Sequence, residues 1–147
     1  MVNAIRTHQL DATAPTASIE TLLHGFLPHK FIDHSHADAI LALTNRAGGE
    51  RAVREALGDR VGIVPYVKAG FDLAKRAADV YDADPTVEGL VLLHHGLFTF
   101  GATAEESYRR HIALVNRAEA WLAGRGGSPG PAPPGGRERA SAALPAL

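Results

Sequence analysis

The spacing of apolar residues changes along the chain, and glycine or proline stands at most of the changes. Stretches with helical spacing predict five helices, and short apolar or β-branched runs predict four strands. The predicted helices cover residues 19–26, 37–44, 50–57 and 71–81, with a last helix ending at 122; the predicted strands cover residues 31–36, 61–66, 87–94 and 97–100. This order of elements predicts an α/β layered domain, and it leaves the order of the strands open.

Two of these elements carry a specific signal. The last helix begins at Thr103 and Glu106, which together have the spacing of a capping box, and Gly124 stands near the expected C-cap. The strand at 87–94 is nearly all apolar beyond Glu88. A strand of that composition is typical of a sheet that is covered on both faces.

The composition divides the chain into three parts. Residues 1–15 form a short N-terminal lead, residues 16–123 form the predicted domain, and residues 124–147 form a tail rich in proline and glycine. Such a tail cannot bury enough apolar surface to offset the entropy that is lost on ordering, so we expect it to be disordered.

The overall composition limits the classes of partner. The chain has 147 residues, which suits one domain, and its net charge of −1 gives no reason to expect binding to nucleic acid or to an anionic membrane. We find no signal peptide and no apolar stretch of membrane-spanning length, so we expect a cytoplasmic protein. Cysteine is absent and histidine occurs 8 times. Any bound metal must therefore be held by His, Asp or Glu.

The first candidate ligands are His34 and His36, which flank Ser35 at the end of a predicted strand. Residues i and i+2 of a strand point to the same face, so the two imidazoles can share one metal ion such as zinc, with Ser35 turned away. The alternative is a pair of partly exposed strand histidines without a ligand.

A second pair, His94 and His95, precedes Gly96 at the end of the apolar strand. On a strand their side chains would point to opposite faces, so at most one of them can join a given site. A buried, hydrogen-bonded histidine is an equally good interpretation of either residue alone.

Three further residues have both a structural and a chemical interpretation. Glu20 stands in a predicted first helical turn, where the helix dipole alone would explain a carboxylate. Asp33 could support His34 or be a turn residue. Tyr66 follows Pro65, and its phenol could act as a general acid or be a packed surface side chain.

Four segments, in this order, resemble segments of the class II aldolases. They are SIETLLH from Ser18, FIDHSHADAILALT from Phe31, VGIVPYVKAGFDLAKRAAD from Val61, and VEGLVLLHHGLFTFGATAEESYRR from Val87. The closest resemblance is to the aldolase half of bifunctional bacterial proteins that join such a domain to a short-chain dehydrogenase and are related to rhamnulose-1-phosphate aldolase. The resemblance implies a three-layer α-β-α sandwich around a central, mainly antiparallel sheet.

The resemblance also implies a role for each candidate residue. His34, His36 and His95 correspond to zinc ligands, Glu20 to the catalytic acid/base, and Tyr66 to a tyrosine that some members supply across a subunit interface. Another divalent metal could replace zinc. The implied activity is aldol cleavage of a sugar phosphate such as rhamnulose 1-phosphate in carbohydrate metabolism, in a homo-oligomer that is a tetramer in the family.

The sequence also departs from the family pattern. The glycine- and asparagine-rich loop that binds the substrate phosphate has no counterpart in residues 1–15, so we expect a domain that is incomplete at its N-terminus and a weak or inactive enzyme. The main alternative is therefore an inactive, adducin-like remnant or binding module that keeps a metal site. A metal-dependent amidohydrolase also has an H-x-H strand, but its barrel needs about 250 residues, which exceeds this chain.

Overall fold

The structure, a computed structural model, describes residues 2–125. Six α-helices and four strands are found in this range, together with a 3-10 turn at Gly58–Arg60. In chain order they are α1 (Val2–Thr7), α2 (Thr21–Phe26), β1 (Phe31–Ser35), α3 (Asp38–Thr44), α4 (Gly49–Leu57), β2 (Val61–Val64), α5 (Phe71–Ala83), β3 (Gly89–Leu92), β4 (Gly96–Gly101) and α6 (Ala104–Gly124). None of these helices is long and apolar enough to cross a membrane.

The four strands form one sheet in the order β1-β4-β3-β2. The β1–β4 and β4–β3 pairs are antiparallel, whereas β3 and β2 are parallel and are connected through α5. A crossover helix of this kind is what a parallel pair requires. The mainly antiparallel sheet that the resemblance implied is therefore confirmed.

Helices cover both faces of the sheet. Leu73 of α5 packs with Leu90 in one apolar cluster, which also includes residues of α2. Leu114 of α6 packs with Val91 in a second cluster, which also includes residues of α3 and α4. Neighbouring residues of β3 thus enter opposite clusters, and all four residues of this strand are buried. The three-layer α-β-α architecture and the doubly covered strand are confirmed.

The start of α6 follows the predicted capping pattern. The Thr103 hydroxyl accepts a hydrogen bond from the Glu106 backbone N–H at 3.1 Å, and the Glu106 carboxylate accepts one from the Ala102 N–H at 2.7 Å. The first contact satisfies a backbone donor that a helix start leaves without a partner, whereas the second reaches the residue before the N-cap rather than Thr103 itself. The helix continues through Gly124 and has Arg125 as its C-cap, two residues beyond the predicted end.

Several predicted boundaries were wrong at strand ends. The second strand stops at Val64 because Pro65 has no N–H to donate to a ladder. The third stops at Leu92, since residues 93–95 form a turn that lets β4 fold back along β3. Helix α1 lies in the lead, where no element was predicted, and the expected disorder of the tail concerns residues 126–147, which lie outside the described residues.

Candidate metal centre

Four side chains from three distant segments meet at one end of the sheet. Glu20, His34, His36 and His95 each offer one nitrogen or oxygen ligand atom, and all four atoms lie within 4.8 Å of one another. The Oε1 atom of Glu20 lies 2.7 Å from Nε2 of His95 and 3.4 Å from Nε2 of both His34 and His36. We call these four residues the His/Glu cluster. Their convergence was expected, and their roles as ligands and catalyst stay predictions.

The pairing of β1 with β4 brings the histidines together. Ser35 pairs with Leu97, so the end of β1 lies beside the turn that carries His95. Gly96 makes this approach possible, because a Cβ atom there would lie 2.4 Å from the Ser35 carbonyl oxygen and 3.0 Å from Cδ2 of His36. The sequence suggested a glycine turn at this position, whereas the structure shows that Gly96 provides space.

The ring of His34 is held in a defined orientation. Its Nδ1–H donates to the Leu97 carbonyl at 3.0 Å, and the ring stacks on Phe98 with centroids 3.9 Å apart. With the proton on Nδ1, the lone pair of Nε2 faces the cluster, which is the arrangement that a metal ligand needs. Burial lowers the pKa of His34 below 6.5, although the Leu97 carbonyl and Glu20 act in the opposite direction. The neutral ring is favoured.

Glu20 occupies the N-cap position of α2 but does not cap it with its side chain. Its carboxylate instead turns to the histidines, while Ser18 Oγ accepts from the Glu20 N–H at 3.1 Å. Partial burial raises the pKa of Glu20, but the hydrogen bond from His95 and the electrostatic effect of the three nearby imidazoles outweigh it, so this pKa lies below 4.5. The helix-dipole explanation of Glu20 is therefore incomplete.

His94 and Tyr66 lie outside the cluster. His94 is exposed and has a left-handed backbone with φ of 61°, and its Nδ1 lies 3.0 Å from the side-chain oxygen of Asn45. The Tyr66 ring is 64% exposed and meets the His94 ring edge-on at 5.7 Å. Of the two neighbouring histidines, it is His95 that enters the cluster.

Asp33 does not support His34, because the partner of His34 Nδ1 is the Leu97 carbonyl. Asp33 acts electrostatically on His111 of α6 instead, on the other side of β1. His111, Phe98 and Leu97 carry no functional signal in the sequence alone. The register of β1 against β4 places Phe98 and Leu97 beside the segment His34-Ser35-His36, which we call the H-x-H segment. His111 reaches this segment from α6 through its contact with Ser35.

The fold and the cluster together identify the class of protein. Residues 1–122 match the family model described as the class II aldolase and adducin N-terminal domain, and this chain belongs to that family. The match includes the lead that we set apart at residues 1–15.

Two proteins that are similar to this chain agree with the family assignment. An uncharacterized oxidoreductase of Bacillus subtilis (strain 168), YuxG, is 38% identical over 122 residues, which are 83% of this chain and 18% of YuxG. The N-terminal class II aldolase domain of a conserved Thermoplasma acidophilum protein is 42% identical with a TM-score of 0.75, over 82% of this chain and 55% of that chain.

A more distant structure shares the fold alone. An aldolase II superfamily protein from Pseudomonas syringae is 20% identical with a TM-score of 0.62, and the match covers 78% of this chain and 50% of that chain. This chain thus spans about half of the two solved chains and under a fifth of YuxG.

Proposed function

We propose that the chain carries the active site of a zinc-dependent aldehyde-lyase, which cleaves a ketose 1-phosphate such as rhamnulose 1-phosphate in cytoplasmic carbohydrate metabolism. The observation that supports this function best is the His/Glu cluster within a class II aldolase domain. Three imidazoles and one carboxylate, without any thiolate, are a donor set that zinc accepts. The orientation of His34, with Nε2 toward the cluster, fits the same ion.

His34, His36 and His95 would hold the metal, and Glu20 would act on a substrate bound beside it. Zinc, when bound, acts as a Lewis acid that polarises the carbonyl group of the ketose. Glu20 moves the proton at the carbon next to that carbonyl, removing it in condensation and returning it in cleavage. Because its pKa lies below 4.5, the Glu20 carboxylate is ionised at neutral pH and can accept the proton.

Tyr66 would accept the proton from the ketose hydroxyl that becomes the aldehyde oxygen in cleavage, and would donate it back in condensation. Its ring is exposed and lies next to His94 rather than in the cluster, which suits a residue that acts at the site of a neighbouring subunit. This role requires a homo-oligomer, and we propose the tetramer that is usual in the family.

An inactive, adducin-like binding module that keeps the metal site is the second candidate. One observation favours it, the exposure of large apolar side chains. Ile19, Phe26 and Phe71 are each more than 40% exposed, and the Phe26 and Phe71 rings are 5.8 Å apart. Exposed apolar surface of this kind promotes association.

A zinc titration combined with a lyase assay tests both candidates. The chain is purified with zinc, its size is measured by light scattering, and cleavage of rhamnulose 1-phosphate and fuculose 1-phosphate is assayed. We expect one zinc per chain and slow cleavage from an association-prone protein. Zinc binding without any cleavage would favour the inactive module. Failure to bind zinc or another divalent metal would overturn both candidates.

A further inference from the structure

A buried chain of hydrogen bonds reaches the H-x-H segment from the opposite side of the sheet. Ser35, between His34 and His36, places its Oγ atom 2.6 Å from Nε2 of His111. Nδ1 of His111 lies 3.0 Å from Oγ1 of Thr99, and Thr99 donates to the Ser107 carbonyl at 3.1 Å. The chain of contacts therefore joins α6, β4 and the last residue of β1.

The donor and the acceptor of each of these hydrogen bonds can be assigned, starting from the bond between Thr99 and Ser107. Thr99 uses its only hydroxyl proton on the Ser107 carbonyl, so its oxygen must accept from His111. The His111 proton is then on Nδ1, and Nε2 carries a lone pair. Ser35 must donate its hydroxyl proton to that lone pair. Each donor thus has one assigned acceptor, which fixes the rotamer of Ser35.

Burying the polar ring of His111 at this position costs free energy. Its side chain is 8% exposed, and Thr99 and Ser107 are fully buried. Burial lowers the pKa of His111, so the neutral ring that this hydrogen-bond order requires is favoured. A leucine could fill comparable apolar space without needing two hydrogen-bond partners. Packing alone therefore does not explain a histidine that is bonded through both ring nitrogens.

The location of the contact suggests its purpose. β1 lies at the end of the strand order, so within the described residues it has a hydrogen-bonded neighbour on one side only. Ser35 is its last residue, and His36 follows outside the ladder. Without a further contact, the backbone that carries His34 and His36 could twist at this strand end. The contact between Ser35 and His111 ties that backbone to α6.

We propose that His111 is a positioning residue that acts through Ser35 to hold the two imidazoles of the H-x-H segment in the geometry for metal binding. The inference rests on the proposed function for the metal. The geometric part, that the Ser35–His111 contact orients His34 and His36, also applies to the metal-free protein.

The test uses one small substitution and two matched controls. Ser35→Ala removes the hydroxyl, and Ser35→Thr keeps it. Ser107→Ala removes another buried hydrogen bond of the same network, from Ser107 Oγ to the Thr99 carbonyl, without touching β1. Zinc affinity is measured by competition with a chelator, and the ring-nitrogen NMR shifts of His34 and His36 are recorded in the metal-free protein.

We expect Ser35→Ala to weaken zinc binding about 10-fold, as for the loss of a partner that orients a ligand, and to shift the ring-nitrogen signals of His34 and His36. Ser35→Thr should remain close to wild type. Ser107→Ala should lower the melting temperature but change zinc affinity less than about 3-fold. Equal losses in Ser35→Ala and Ser107→Ala, or unchanged His34 and His36 signals in Ser35→Ala, would overturn the inference. If the wild-type chain binds no zinc, the proposed function fails, and the NMR comparison still decides the positioning role.

Discussion

Glu20 and His95 are 75 positions apart in the sequence, yet their side chains meet with Oε1 of one 2.7 Å from Nε2 of the other. This contact connects the start of α2 to the turn between β3 and β4. It also places an ionised carboxylate among three imidazoles, where it can serve as a fourth ligand or as a base.

The assignment of His95 rather than His94 can be tested with two neighbouring substitutions. His95→Ala removes one nitrogen of the cluster, so we expect zinc affinity to fall more than 100-fold, beyond the 10- to 100-fold typical of losing an outer-shell partner. His94→Asn leaves the cluster complete, and asparagine tolerates the left-handed backbone. It should bind zinc within about 3-fold of wild type. The opposite ranking in a chelator competition would show that His94 is the ligand.

If Glu20 is the acid/base, one substitution at this residue should lower lyase activity strongly and change zinc affinity much less. Glu20→Gln keeps the size of the side chain but cannot accept the proton, so we expect any lyase activity to fall about 10²- to 10⁴-fold. Zinc affinity should change much less, because three imidazoles remain. Glu105→Gln, which alters an exposed glutamate paired with Arg109, serves as the control. Unchanged turnover in Glu20→Gln would remove the proposed role.

The elements of the fold were predictable because local signals agree with tertiary packing. The capping box at Thr103, the apolar run of β3 and the helical period of α5 each depend on neighbours in sequence, and each was found. Strand ends were less predictable, since Leu93–His95 leave the ladder only because β4 folds back on β3. The short helix α1 has no strong apolar period, so its sequence did not predict a helix.

The candidate site was predictable only as far as the family pattern reaches. The H-x-H spacing and the glycine after His95 suggested which side chains can meet. The residues that orient them could not be found, because Phe98 lies under His34 through the register between β1 and β4, and His111 lies behind Ser35 through the packing of α6 on the sheet. A register of this kind arises from long-range pairing, which no local pattern specifies.

Because several histidines are buried, we expect the free energy of unfolding to decrease as the pH drops below neutral. Burial lowers the pKa of His111 in the folded protein, partly opposed by Asp33. As the pH drops below about 6.5, the unfolded chain therefore binds a proton first, and the free energy of unfolding decreases. Urea unfolding at pH 7.5, 6.5 and 5.5 measures this loss, which cannot exceed about 1.4 kcal/mol per pH unit for each histidine.

His29 and His34 shift in the same direction because they too are partly buried, so the wild-type slope contains several contributions. His111→Gln should make the slope shallower, because it removes the contribution of His111. An identical slope in wild type and His111→Gln would show that His111 titrates normally in the folded protein.

Because the backbone at His94 is left-handed, we expect glycine to be more stable than alanine at this position, which is the reverse of their order inside a helix. At φ of 61° a side chain crowds its own backbone, and glycine avoids this cost. His94→Gly and His94→Ala both lose the contact with Asn45, so their difference isolates the backbone term. We expect the glycine variant to be more stable by about 1 kcal/mol in urea unfolding. The matched pair Lys75→Gly and Lys75→Ala, at an exposed position of α5, should show alanine more stable by a similar amount. If alanine is the more stable residue at both positions, the turn between β3 and β4 does not hold His94 in the left-handed conformation.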